Sequence, residues 1–426
     1  MVKLGRIILV VFMITTYLMG FYYNNLYRRG NLFASDIALV LIISWFFLVY
    51  KRFIASKVAI IGLGAAFIQL LIGTLFQNNF AFILRDLKVF LYFFVPYYFY
   101  KVICSSSENI KTFLNTYVVI VFVSIVLNMN MFLTSGLKNI DSGIIQRTFG
   151  IGLGWGGIIP ILLIVHTYKK IFIKLYGRLI YWMIMVCSLL CVALSFTRTI
   201  WILFILTFII KVILVDSLNK KELPQKILTF ILIIFISFIG FNQLNQSKNP
   251  VFIAIADRFS GISDQIDDPK STLSYRIEDV RSSLYKATSP RIIIGYGFGD
   301  TRLPFGHRVG ETEEDNSCEN SFFYYLWKYG LLLTILLFYH IGKKLYSLYK
   351  GNIGQKTLSI YLFLSMVVGS MSGNLNSTYS LSSYALLFAV ATYINNWGID
   401  RSIKIESKST NSKILYKAGI FDGYYY

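Results

Sequence analysis

The stretch Leu179–Ile210 reads LIYWMIMVCSLLCVALSFTRTIWILFILTFII, and Arg198 is the only charge between Arg178 and Lys211. A helix crosses the hydrocarbon layer in about 20 residues. This run is too long for one crossing, so it must fold into two antiparallel helices with Arg198 at the turn. A guanidinium at that depth is either a solvated interfacial group or faces a shared polar cavity.

Outside this stretch the chain has the same character. It is 56% hydrophobic with a mean hydropathy of +0.61 and only 15% charged residues, well outside the range of soluble domains. Apolar runs of spanning length recur from end to end and predict an all-α polytopic membrane protein with about 12 transmembrane helices. Their limits are Ile7–Tyr23, Leu32–Tyr50, Val58–Phe76, Leu87–Tyr100, Phe113–Leu133, Ile151–Tyr168, Leu179–Phe196, Ile200–Val215, Ile227–Leu244, Ser321–Leu345, Thr357–Met371 and Leu381–Trp397. Residues 1–400 form the bundle, with a long loop at 245–320, and 401–426 form a basic tail. The first run follows Lys3 and Arg6 as in a signal peptide, but no small-residue cleavage site ends it, and it is read as a retained anchor.

The formal charge of +20 raises the possibility of a nucleic-acid partner, but its distribution argues against one. Basic residues gather in alternate connections, at Lys169, Lys170, Lys174 and Arg178, at Lys220 and Lys221, and after Arg401. That asymmetry marks the cytoplasmic side and places both termini there. Cys187 and Cys191 share one span while Cys104 and Cys318 fall on opposite sides, so no structural disulfide is expected. His166, His307 and His340 are scattered without metal-ligand spacing.

The loop from Asn245 to Asn320 is the only sizeable segment outside the spans and holds 12 of the 21 acidic residues. Within it STLSYRIEDVRSSLYKA spaces Leu273, Ile277, Val280, Leu284 and Ala287 as one face of a helix, with Arg276 at its edge. It predicts an amphipathic helix lying over the bundle. SPRIIIGYGFGD follows, but its G-x-G-x-G spacing and the absence of a strand-turn-helix pattern make it a poor nucleotide site. A tight turn or a close backbone approach to another helix is the preferred reading. GIGLGWGG at Gly150–Gly157 reads likewise as close helix packing.

The order LSFTRTIW at a span boundary, SYRIEDVRSSLYKATSPRIIIGYGFGD in a long loop and ENSFFYYLWKYGLL opening the next span resembles the O-antigen polymerase and ligase superfamily, from about Arg147 to Leu337. The resemblance implies a glycosyltransferase with a GT-C-like fold, acting at the outer face of the bacterial cytoplasmic membrane on glycans carried by undecaprenyl diphosphate. It implies no cofactor, nucleotide sugar or catalytic metal, and a chain-length regulator as a partner. By motif position Arg198 and Arg276 hold the carrier's diphosphate. The family commonly has histidine before the Asn-Ser pair, where this chain has Glu319, a departure that favours a polymerase over a ligase.

Glu319 is either the base for an acceptor hydroxyl or, with Asn316 three residues before it, half of a capping box. Lys328 lies about two turns into the tenth span, as an intramembrane functional charge or a side chain snorkelling to the interface. Arg85, Asp86 and Lys88 at the entrance of the fourth span either pair locally or add to a basic rim that gathers the anionic carrier, as do Arg147 and Arg281. A twelve-span transporter is the alternative class, but no two matching halves are visible, since the long loop falls between spans nine and ten.

Overall fold

The computed structural model of the chain describes residues 2–18, 34–45, 57–92, 107–136, 154–195, 197–215, 281, 284–286, 289–301, 321–372 and 378–394. Among them all regular structure is helical. The α-helices are α1 (Val2–Tyr17), α2 (Ala34–Trp45), α3 (Lys57–Leu75), α4 (Phe80–Leu91), α5 (Ser107–Met131), α6 (Ile159–Thr167), α7 (Lys169–Tyr176), α8 (Arg178–Ala193), α9 (Arg198–Leu214), α10 (Ser321–Tyr349), α11 (Ile353–Ser372) and α12 (Thr378–Tyr393). They are not the twelve expected spans one for one. The short α7 is additional, and the ninth span, Ile227–Leu244, lies outside the described residues.

The opening stretch folds as its length demands. α8 ends at Ala193 and α9 begins at Arg198, with Thr197 extended at the N-cap (φ −117°, ψ 102°). Ser195 Oγ accepts from the Thr197 N–H at 3.3 Å, and Trp201 Nε1 donates to the Val192 carbonyl at 2.7 Å, tying the start of α9 to the end of α8. α8 is apolar on both faces. Tyr181, Ile184, Ser188, Cys191 and Val192 are buried, while Leu179, Trp182, Met183, Val186, Leu189 and Leu190 form an exposed stripe. A stripe of that kind suits lipid rather than water.

By length and composition, Asn109–Thr134 and Phe322–Tyr349 are each long and apolar enough to cross a membrane. Lys169–Tyr176 and Arg178–Ala193 do so together but are bent by 118°. The bend is at Gly177 (φ 88°, ψ 162°). On its N-terminal side α7 is docked, with Phe172 buried and Tyr176 donating to Asn115 Oδ1 of α5 at 2.8 Å. The basic segment expected as a plain connection is therefore a docked helix.

α6 is the middle of the bundle, with every residue from Ile159 to Val165 buried. It is preceded by a π-helical turn at Gly154–Ile158, whose Gly156 carbonyl accepts from both Tyr17 (2.8 Å) and Tyr117 (2.9 Å). A Cβ on Gly156 would collide with Ser383 of α12, so the glycine permits the close approach read from the sequence. By contrast a Cβ on the exposed Gly64 would meet nothing within 4 Å. Gly156→Ala should therefore cost about 1–3 kcal/mol of stability through overpacking, whereas Gly64→Ala should cost less than about 0.5 kcal/mol. Thermal unfolding of the two variants in detergent checks this; equal midpoints would contradict it.

Candidate functional site

The loop delivers its glycine motif into a gap between α3, α4 and α10. Ser289 caps a short 3₁₀ turn, Pro290–Ile293, and the chain then runs through Gly295, Gly297 and Gly299, all at positive φ (86°, 84° and 79°). α10 is broken opposite it: Gly330 has φ 77° and ψ 169°, outside helical space. The carbonyls of Trp327 and Lys328, which in an unbroken helix would accept from Leu331 and Leu332, are thereby freed. Tyr296 N–H donates to Trp327 O at 3.0 Å and Gly297 N–H to Lys328 O at 3.2 Å. A Cβ on Gly295 would lie 2.6 Å from Gly330 N, so only glycine allows this contact.

α3 closes the other side. Gln69 Nε2 donates to Ile294 O (2.9 Å) and Tyr329 O (3.1 Å), and the Gln69 carbonyl accepts from Phe298 N–H at 3.1 Å. Asn78 Nδ2 donates to Phe298 O at 2.8 Å. The backbone polar groups of an irregular segment packed among apolar helices are thus satisfied by partners on both sides.

A chain of charges, one pair fully buried and one partly exposed, locks the same junction. Lys328 Nζ lies 3.0 Å from Asp86 Oδ2, and both side chains are 0% exposed. Asp86 also accepts from Gly299 N–H at 2.8 Å and from the Tyr324 hydroxyl at 2.5 Å. Lys328 donates in addition to the Asp300 carbonyl. The Asp300 carboxylate accepts from Lys286 Nζ and Trp327 Nε1, each at 2.5 Å. Acid and base alternate, and no member of the pairs Asp86–Lys328 and Lys286–Asp300 is left uncompensated.

α4 supplies one member of each of two such pairs. Residues two apart on a helix face different neighbours, so Asp86 turns to α10 while Lys88 pairs with the buried Asp36 of α2 at 3.0 Å, where Tyr92 donates to the second carboxylate oxygen at 2.9 Å. The alternatives of local pairing or an open rim are therefore corrected for these two residues. α4 starts at Phe80, seven residues before the expected span, because Asn79 caps it by accepting from Ala81 N–H at 3.0 Å. The charges thereby lie within a helix rather than at its entrance.

Of the sequence-derived candidates, Lys328 does not snorkel: it is fully buried and held by Asp86. Arg85 is half-buried, with its guanidinium 5.5 Å from the Phe82 ring centroid. Arg281 is exposed on a helical residue of the loop, and Leu284, expected on the buried stripe, is 47% exposed. Arg198 is the first residue of α9, and its side chain is outside the described set, as are Arg147, Arg276 and Glu319 entirely. Sequence reading named Asp86 but not its partner, and missed Lys286, Asp300 and Gln69 as site-building residues. The available signal was Lys328 itself, since an ammonium within a span demands a counter-ion.

Residues 183–338 match the protein family described as O-Antigen ligase, in keeping with the resemblance to the O-antigen polymerase and ligase superfamily. The match runs from α8 through the loop to the middle of α10, so it contains Arg198, Arg276, the glycine segment, Glu319 and Lys328. No curated protein and no solved structure matches the chain.

Breaking a buried pair from one side leaves a charge without its partner and costs about 3–5 kcal/mol, while removing both members is often neutral. Lys328→Met or Asp86→Leu alone should therefore destabilise strongly, and the double variant should recover most of the loss. A double-mutant cycle on unfolding in detergent measures this; additive losses would show that the pair is not coupled.

Proposed function

We propose that this protein is a polysaccharide polymerase of the O-antigen or capsule type. It moves a growing glycan from undecaprenyl diphosphate to a sugar hydroxyl of an incoming lipid-linked repeat unit, at the outer face of the cytoplasmic membrane. The observation that supports glycosyl transfer of this type is the family match over 183–338, the part of the chain that holds both motif arginines, and the choice of polymerase rests on Glu319 where the family commonly has histidine.

In the proposed reaction the acceptor oxygen attacks the anomeric carbon of the donor sugar. The bond between that carbon and the diphosphate oxygen breaks, the lipid diphosphate leaves with the bonding electrons, and Glu319 takes the hydroxyl proton. Negative charge grows on the leaving group, so Arg198 and Arg276 stabilise the transition state more than the ground state. Their permanently charged planar forks suit a diphosphate better than an ammonium would. Arg85, Arg147 and Arg281 add positive potential that gathers the anionic carrier. The charge of Lys328 holds the loop in register with α10 rather than touching substrate. GT-C architecture, cytoplasmic termini and a chain-length regulator belong to the same reading.

The second reading is a ligase that hands finished glycan to lipid A core or another acceptor, and the family description favours it. The glutamate at position 319 supports the polymerase instead. Arg198→Ala or Arg276→Ala should abolish high-molecular-weight polymer while the protein still inserts, a loss on the order of 10²–10³ in rate by analogy with an oxyanion-hole donor. Normal polymer in both variants would defeat the reading. Lipids from a deletion strain separate the two transfers: loss of a polymerase leaves single repeats on the final acceptor, whereas loss of a ligase leaves long chains on undecaprenyl diphosphate.

A further inference from the structure

Of the cations on or facing the docked segment, Lys286 and Lys328 are each held by a carboxylate, Asp300 and Asp86. Arg291 is not. Its guanidinium carbon lies 3.4 Å from the Phe76 ring centroid and 4.8 Å from that of Tyr296, and among the described residues its side chain has no hydrogen-bonded or ionic partner. Its Nε is buried without an acceptor. A guanidinium stacked on rings is fixed in place while its planar N–H donors remain available, and a buried donor without an acceptor is costly.

The setting specifies the ligand further. Phe76 is 55% exposed, and beside it in the chain Leu75 (77%) and Phe80 (67%) are exposed as well, as are Ile293 (52%) and Ile294 (54%) next to Arg291. Apolar surface around one unpaired guanidinium fits an amphiphile with an anionic head and a hydrocarbon chain, rather than a free polar anion. Tyr296 is itself anchored, donating from its hydroxyl to Lys286 O at 3.2 Å, and Phe76 follows the end of α3, so both rings are carried by the junction that docks the loop.

We infer that Arg291, backed by Phe76 and Tyr296, binds the phosphate head of a polyprenyl lipid and serves as the seat of the acceptor's carrier. The identity of that lipid as the acceptor rests on the polymerase reading, in which both substrates are lipid-linked and two anion sites are required. Arg198 and Arg276 take the donor, and Arg291 takes the second. The assignment places acceptor recognition at the glycine segment, so that docking of the loop and presentation of the incoming repeat depend on the same contacts.

The test titrates a polyprenyl phosphate onto the full-length protein in detergent, followed by native mass spectrometry, with the uncharged polyprenol and inorganic phosphate as comparison probes. The wild type should bind two polyprenyl phosphates, and Arg291→Gln should weaken the binding of one of them by about tenfold or more and leave polyprenol binding unchanged. Should that variant fail to fold, Arg291→Met keeps an apolar stem against the rings and should show the same loss. Wild-type affinity in either folded variant overturns the site. Displacement of the lipid by millimolar inorganic phosphate overturns the lipid assignment in favour of a free anion. Because no turnover is involved, the two proposals fail separately: Arg291-dependent binding by a protein that never lengthens glycan keeps the site and removes the polymerase reading, while unchanged binding and chain growth in the variant do the reverse.

Discussion

The buried pair Asp86–Lys328 is the interaction on which the junction depends. An ammonium inside an apolar helix bundle is tolerated only with a close counter-ion and its remaining donors satisfied, and here the carboxylate comes from the first half of the chain. Asp86 also accepts from the Gly299 N–H, and Lys328 offers both its ammonium, to the Asp300 carbonyl, and its own carbonyl, to Gly297. One ion pair thus joins α4, α10 and the loop. The break at Gly330 is the other half of the device, because it frees the carbonyls that the glycine segment uses.

This arrangement gives the glycine motif a physical meaning. The segment is neither a phosphate-cradling turn nor a flexible hinge; it is backbone laid between α3 and α10 where side chains would collide. Gly295 against Gly330 and Gly297 against Gly73 leave no space for a Cβ. Catalytic groups proposed on the loop and at the head of α10 need a fixed relation to one another, since misplacement of about 1 Å costs reaction rate heavily. A docked loop supplies that relation through hydrogen bonds from both flanking helices.

How much of this was legible in the sequence follows from the range of each interaction. The turn at Arg198, the start of α10 at Ser321 and the close packing at Gly156 were readable, because hydropathy, length and glycine spacing are local signals. α7 was not, since eight residues that include Lys169, Lys170 and Lys174 read as a connection rather than as a docked helix. The early start of α4 was missed because its first turn, Phe80–Ile83, is separated from the expected span by Arg85 and Asp86, and the partner of Asp86 lies in α10. The break in α10 was hidden as well: a lone glycine in an apolar run is common in membrane helices. No spacing rule links Asp86 to Lys328, and their pairing emerges only once α4 and α10 are side by side. Arg147, Arg276 and Glu319 lie outside the described residues, so their roles rest on motif position.

The central claim is that the chain catalyses glycosyl transfer between lipid-linked partners rather than carrying them across the bilayer. The most direct measurement reconstitutes the purified protein into liposomes with undecaprenyl-diphosphate-linked repeat units already on the face that the loop occupies, and follows glycan length by gel electrophoresis. The account predicts a ladder of lengthened glycan without any movement of substrate between leaflets. Unchanged single repeats, together with appearance of the lipid in the opposite leaflet, would contradict it.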